Sequence, residues 1–314
     1  MQSNKSSSYS TRRFLSTVAL VGFSASTLVS AELAANTTGS ATFGDITSGS
    51  NKCIVGKPNE YVSSDVVDWI WENRIGPNAD LKVSSNKNVM LNKNWIFDHL
   101  VKNQGSLNYC VRWDGTTKLT KSVAAKFEAM LTRQYKEWNK WLIGYDCWPY
   151  NEIKIKVVGF AVRDAKLLDW SDDSLGKIYE GELDPDGVPM CTQSCYRFYD
   201  QGINGWSDTS ACTAQPYDIS LWPHEGLDGG MGYDWGQEVN MENMLASLDS
   251  EVSTIVAHEI GHGFGLPDFY EKINQPPSGL PACIMDAGAS MSVTPADGWM
   301  LRRVLENVKS RYNF

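Results

Sequence analysis

His258-Glu259-Ile260-Gly261-His262-Gly263-Phe264-Gly265-Leu266-Pro267-Asp268 is the stretch that decides how this chain is read. Residues four apart share one face of a helix, so His258 and His262 can offer two imidazole nitrogens to one metal ion, with Glu259 beside them. Gly265 suits the left-handed conformation that ends a helix, and Pro267 prevents the helix from resuming. The chain must turn back, which brings Asp268, six residues past His262, to the place of a third ligand. Three protein ligands leave one coordination position open. Usual residue frequencies produce a coincidental His-Glu-x-x-His in on the order of 1% of chains this long. The added Gly and Asp make coincidence rarer, and two of the four histidines fall inside the run. His224 and His99 are rival third ligands, as are Glu271 and Asp286.

This residue set points to zinc and to hydrolysis, because zinc lowers the pKa of a water toward neutrality and a neighbouring carboxylate, here Glu259, can take its proton. The pattern HExxHxxGxxD resembles the metzincin zinc-binding signature, with Asp where most of that clan carries His. Snapalysin-type peptidases show this variant, and the form in this chain is similar to that of immune inhibitor A peptidases. A second metzincin mark is a methionine turn, and in Cys283-Ile284-Met285-Asp286-Ala287-Gly288 the methionine lies 17 residues after Asp268. The resemblance covers residues 249 to 291. It implies an α/β (α+β) metzincin-like zincin catalytic domain that begins with a long helix followed by a strand and carries an active-site helix, a methionine turn at Met285 and a C-terminal helix. It further implies zinc on His258, His262 and Asp268, Glu259 as general base, and a polypeptide substrate. One departure stands out: astacin-like and serralysin-like members place Tyr two residues after the turn methionine, where this chain has Ala287. Tyr270 is the candidate donor to a tetrahedral oxyanion in its stead. Gluzincin and aspzincin peptidases are near rivals, distinguished by the acidic residue that completes the site. A rival from another class is a secreted non-catalytic protein with a structural zinc whose aromatic residues grip a carbohydrate or a protein; the intact Glu259 speaks against it.

The N-terminus addresses the compartment. Arg12 and Arg13 precede an apolar run from Phe14 to Val29, and Val29-Ser30-Ala31 has the small residues of a cleavage site, so residues 1–31 read as a signal peptide of a secreted, extracellular protein. No other stretch approaches the ~20 apolar residues of a membrane helix, which leaves no membrane partner after cleavage. Removing Lys5, Arg12 and Arg13 from 28 basic residues leaves 25 against 37 acidic ones, a net charge of -12. Such a surface disfavours nucleic acid and anionic membranes. Residues 32–50, rich in Ser, Thr and Gly, read as a flexible leader with a glycosylation sequon at Asn36, and residues 51–314 as the catalytic domain. Seven cysteines suggest three disulfides plus one odd thiol. Only Cys191 and Cys195 have zinc-finger spacing, and no histidine follows them closely. Cys53 faintly resembles the latency cysteine of matrix metalloproteinase propeptides, with a disulfide as its other reading.

Periodicity predicts helices near 63–74, 91–103 and 120–142, the last from Val123, Phe127, Met130, Leu131, Tyr135, Trp138 and Leu142. Alternation predicts a strand over 152–162. Residues 183–240 read as disulfide-pinned loops with a short strand at 217–222. The helix carrying His258 is expected over 250–264, capped by Asp249 or Ser250, with Val252, Val256, Ile260 and Phe264 as its apolar stripe. A last helix runs from Pro295 to about residue 310 behind a Thr294 cap. Asp184-Pro185-Asp186-Gly187 reads as a turn, lacking the distal acid of a calcium loop. Gly229-Gly230-Met231-Gly232 lacks the Lys-Ser/Thr of a phosphate loop and is a candidate cleft lining. Twelve tryptophans can build core or a sugar-stacking face, and the spacing of Trp69, Trp71, Trp95 and Trp138 fits core.

Overall fold

The computed structural model describes residues 53–314 other than 59 and 84, so the stretches read as signal peptide and leader, and the sequon at Asn36, lie outside the described residues. Helix α1 (Ser64–Ile70) widens into a π turn over Trp71–Ile75. There follow α2 (Ile96–Lys102), β1 (Ser106–Arg112), α3 (Lys121–Ala124), α4 (Phe127–Asn139), β2 (Lys154–Val162) and β3 (Lys177–Glu180). A small ribbon of β4 (Tyr199–Asp200) and β5 (Gly205–Trp206) precedes β6 (Ile219–His224), β7 (Gly230–Tyr233) and β8 (Gly236–Asn240). Three helices end the chain: α5 (Met241–Ala246), α6 (Thr254–Gly263) and α7 (Pro295–Val308).

The main sheet has the order β3-β2-β1-β6-β8-β7, parallel throughout except that β7 runs antiparallel to β8 at the edge. This is a mixed α/β fold. Parallel strands need cover on both faces. On one face Leu107, Tyr109 and Val111 of β1 join Phe127, Met130, Leu131 and Tyr135 of α4 and Val256, Ile260 and Phe264 of α6 in the main core. On the other, Cys110, Val158, Ala161 and Tyr179 pack with Cys191, Cys195 and Tyr217 from the long loop between β3 and β6. The disulfides Cys110–Cys191 and Cys195–Cys212 clamp that loop, and Cys53–Cys147 ties the N-terminal segment to the loop after α4. Cys283 is the free, buried thiol. Cys53 is therefore a structural cysteine and not a latency switch.

Several boundaries differ from the sequence reading. The 120–142 helix is broken: the Lys126 N–H reaches back only three residues, to the Val123 carbonyl at 3.0 Å, and this tight turn separates α3 from α4. The 91–103 helix starts only at Ile96, where the Asp98 carboxylate accepts from the Trp95 N–H at 3.2 Å. Strand β1, which the sequence reading did not include, precedes the long helix, with Leu107, Tyr109 and Val111 buried in alternation. Strands β7 and β8 lie inside the stretch read as loops, because β8 buries polar residues: the Tyr109 hydroxyl donates to Gln237 Oε1 at 2.9 Å. Asp184 closes the expected turn, its Oδ1 accepting from the N–H groups of Asp186 and Val188. Trp95 and Trp138 are fully buried core, as their spacing indicated. Among the described residues no helix is long and apolar enough to cross a membrane.

Candidate metal centre

Helix α6 begins at Thr254, four residues later than expected, because the side chain of Gln134 holds the preceding segment extended: Oε1 accepts from the Ser253 N–H at 3.0 Å and Nε2 donates to the Glu251 carbonyl at 3.3 Å. The Trp138 indole N–H donates to the Ala257 carbonyl at 2.9 Å and docks α4 against α6. The helix ends as the sequence indicated. Gly265 has φ +91°, its N–H bonds the His262 carbonyl at 2.9 Å, and the Leu266 N–H bonds the Gly261 carbonyl at 3.1 Å. This paired closure is the Schellman arrangement.

The reversal does two things for the site. It presents the Leu266 carbonyl to His262 Nδ1 at 2.7 Å, and it carries Asp268 back over the helix. His258 Nδ1 is likewise held by the Ile284 carbonyl at 2.6 Å. With both Nδ1–H groups donating to carbonyls, both Nε2 atoms point into the site and can take a metal ion in exchange for a proton. Asp268 Oδ1 lies 3.1 Å from His258 Nε2 and 3.2 Å from His262 Nε2. One ligand atom from each of the three residues falls within 4.8 Å of the others, so the group can hold a metal ion. Bonds of about 2.05 Å at tetrahedral angles set donor atoms roughly 3.3 Å apart, close to the two distances found. Two imidazole nitrogens and one carboxylate oxygen, with no thiolate, form a donor set suited to zinc.

Glu259 occupies the next turn position. It is buried, and its Oε2 has no hydrogen-bond partner among the described residues and stands 3.7 Å from His262 Nε2. Burial raises its pKa, with the charges of His262 and His258 opposing. Burial would lower the pKa of His258, but the Asp268 hydrogen bond and the charges of Glu259 and Asp268 raise it to about 9. Asp268 responds in the opposite sense: burial would raise it, yet the His262 charge and the hydrogen bonds from both histidines hold it well below the usual carboxylate range. The Tyr270 hydroxyl lies 3.0 Å from His258 Nε2, with its ring stacked on the imidazole at 6.0 Å. Desolvation of the hydroxyl and the Asp268 charge raise its pKa, although 55% of the residue is exposed.

Further residues that the sequence did not single out hold this arrangement. Arg74, from the π turn, donates to the Asp268 carbonyl at 2.9 Å and to Ser85 Oγ at 2.8 Å, also reaches Asn86 Oδ1 and the Asn274 carbonyl, and lies over the Phe269 ring. Lys87 has its Nζ 4.7 Å from the centre of the Tyr233 ring, and burial lowers its pKa against the attraction of Asp268, Asp234 and Glu259. Asp297 accepts from the N–H groups of Ile284, at 3.0 Å, and Met285, at 3.3 Å, while capping α7 through Thr294. The carbonyl that orients His258 is thus anchored to the last helix. Met285 is fully buried with its sulfur against Gly261, where any Cβ would collide with it. A Cβ at Gly230 would strike Glu259 Oε1, and one at Gly232 the Glu259 carbonyl. The two glycines let β7 lie directly on α6.

The rival ligands stand elsewhere. His224 Nδ1 pairs with Glu238 Oε1 at 2.7 Å. His99 is completely buried 3.8 Å from Asp218 Oδ1, too far for a hydrogen bond, and Asp218 instead engages Arg197 at 2.9 Å. Burial first, and then the Arg197 charge, lower the His99 pKa to about 3, so it is neutral. Glu271 precedes an exposed 3-10 turn, and Asp286 accepts from Gln275 Nε2 at 3.3 Å. No protein-family model, curated protein or solved structure gives a significant match to the chain.

Proposed function

We propose that this chain is a secreted zinc-dependent endopeptidase with a metzincin-like catalytic domain. The observation that carries the reading is the convergence of His258 Nε2, His262 Nε2 and Asp268 Oδ1 on one point, beside the buried Glu259 carboxylate whose Oε2 has no hydrogen-bond partner among the described residues. Zinc held there supplies an acidified water and a Lewis acid for a carbonyl oxygen. Glu259 takes the proton of the attacking water and passes it to the leaving amine, a role favoured by the burial that raises its pKa. Tyr270, whose hydroxyl lies 3.0 Å from His258 Nε2, donates its hydroxyl hydrogen to the oxyanion, a role Ala287 cannot fill. Met285 supports α6 from below, in the manner of a methionine turn.

The substrate class follows from β7. It is the outer strand of the sheet, and its Gly230 and Gly232 lie against Glu259 of α6. An extended polypeptide can add to that edge as a further strand, which threads a peptide bond past the metal-ligand cluster. Three disulfides support an oxidising compartment. The test is digestion of a panel of unfolded polypeptides by the purified chain, with and without chelator and with zinc restored. Cleavage that chelator abolishes and zinc restores supports the proposal. Full metal loading without any cleavage favours a non-catalytic protein with a structural metal.

A further inference from the structure

A groove of about 320 Å³ opens between α2, the β4–β5 ribbon and the turn after α7, sharing no residue with the metal-ligand cluster. Its one acidic lining residue, Asp98, is already engaged: the Arg311 guanidinium lies at 3.3 Å, the Tyr312 hydroxyl donates at 2.8 Å, and the Trp95 N–H caps from 3.2 Å. Arg311 is equally committed, donating to the Asn92 and Val89 carbonyls at 2.8 and 2.6 Å. Two more cations, Lys93 and Lys102, line the groove exposed to solvent. Neither forms an ion pair among the described residues, although the chain has 37 acidic residues against 28 basic. Each lies against a ring instead, Lys93 Nζ at 4.7 Å from the centre of Tyr199, with an exposed hydrogen bond to its hydroxyl at 3.2 Å, and Lys102 Nζ at 5.7 Å from the centre of Trp206. The two rings meet edge to face at 5.9 Å, so the ammonium groups flank a continuous aromatic wall.

We propose that this groove binds a short saccharide bearing carboxylate or sulfate groups. An exposed lysine resting on a ring gains little there, and turning to an anion gives it a charge-assisted hydrogen bond, which is stronger. The aromatic wall offers apolar faces for the C–H side of a sugar ring. The volume lies at the small end of the roughly 300–1,000 Å³ of small-molecule sites, room for one or two rings. An acidic peptide is disfavoured because the outer edge of β4 is closed: Asn94 Oδ1 accepts from the Tyr199 N–H at 2.6 Å and Asn94 Nδ2 donates to the Tyr199 carbonyl at 3.0 Å. No backbone edge is left there for strand addition. A long polyanion is repelled by a net charge of -9.

The experiment is titration calorimetry of the full chain with a galacturonate trisaccharide, a monosulfated disaccharide, a neutral galactose trisaccharide and an acidic hexapeptide. Binding of at least one anionic sugar is expected, with the neutral sugar weaker by about tenfold or more, and with Lys93→Gln/Lys102→Gln losing about tenfold or more. Both lysines are exposed, so the double variant folds, and an unchanged unfolding midpoint verifies it. The proposal is overturned if neither anionic sugar binds, if the neutral sugar binds as well, if the peptide binds more tightly, or if the folded double variant binds like the wild type.

Discussion

Replacing Gly265 by alanine adds one methyl group at a residue that touches no ligand atom, yet it should damage the site. At φ +91° a Cβ meets its own backbone, and the added atom would lie 2.5 Å from Val89 Cγ1. The left-handed conformation costs a residue with a Cβ about 1–2 kcal/mol, and overpacking against a buried side chain such as Val89 costs about 1–3 kcal/mol more. The sum is a destabilisation of about 2–5 kcal/mol. The effect on metal binding is separable. The Leu266 carbonyl that orients His262, and Asp268 itself, both follow this residue, and loss of such an orienting contact typically lowers metal affinity about 10–100-fold. Urea unfolding of the metal-free protein reads the first quantity, and zinc titration against a competing chelator reads the second. An unfolding free energy within about 0.5 kcal/mol of wild type, together with unchanged affinity, would refute the argument that Gly265 places the third ligand.

Asp268→Ala should weaken zinc binding sharply, whereas Asp268→His should retain part of it because imidazole is an acceptable ligand; undiminished affinity in the alanine variant, read by the same titration, removes Asp268 from the site. His99 supplies a pH dependence. Its pKa falls on folding from 6.5 to about 3, so between these values only the unfolded chain binds the extra proton. The stability is intact above pH 6.5 and declines as pH drops, by about 1.4 kcal/mol per unit from this residue. Denaturant unfolding of His99→Phe at pH 7 and pH 5 should show a shallower decline than wild type, and an equal decline would contradict the assignment. Met285→Ala should cost about 2–5 kcal/mol by leaving a cavity under Gly261, while Met285→Leu should cost less than about 1.5 kcal/mol; equal losses in thermal unfolding would show that the volume beneath α6 does not matter.

What was legible in the sequence was what is local. The spacing of His258 and His262, the reversal at Gly265 and the Thr294 cap each depend on residues a few positions apart, and each is found where the pattern indicated. The amphipathic run from Phe127 to Trp138 was equally plain, but the tight turn at Lys126 that splits it leaves no mark in periodicity. Strand β8 was hidden because Gln237 and Glu238 are polar and buried, and the partner of Gln237 Oε1, Tyr109, lies far away in sequence. Arg74 was hidden for a similar reason: its hold on Asp268 spans 194 positions, and an arginine in an amphipathic helix ordinarily reads as solvated surface. The helix start at Thr254 was displaced by Gln134, another long-range contact. Local rules therefore located the candidate ligands, and tertiary contacts supplied the partners that aim them.

The most direct test of the account is the peptidase rate of Glu259→Gln at measured metal content. Glutamine preserves size but cannot take a proton, and general-base catalysis contributes typically about 10²–10⁴-fold. The account predicts about one zinc per chain, as in wild type, with cleavage of an unfolded polypeptide slowed by that factor. A zinc-loaded variant that cleaves at close to the wild-type rate would contradict it.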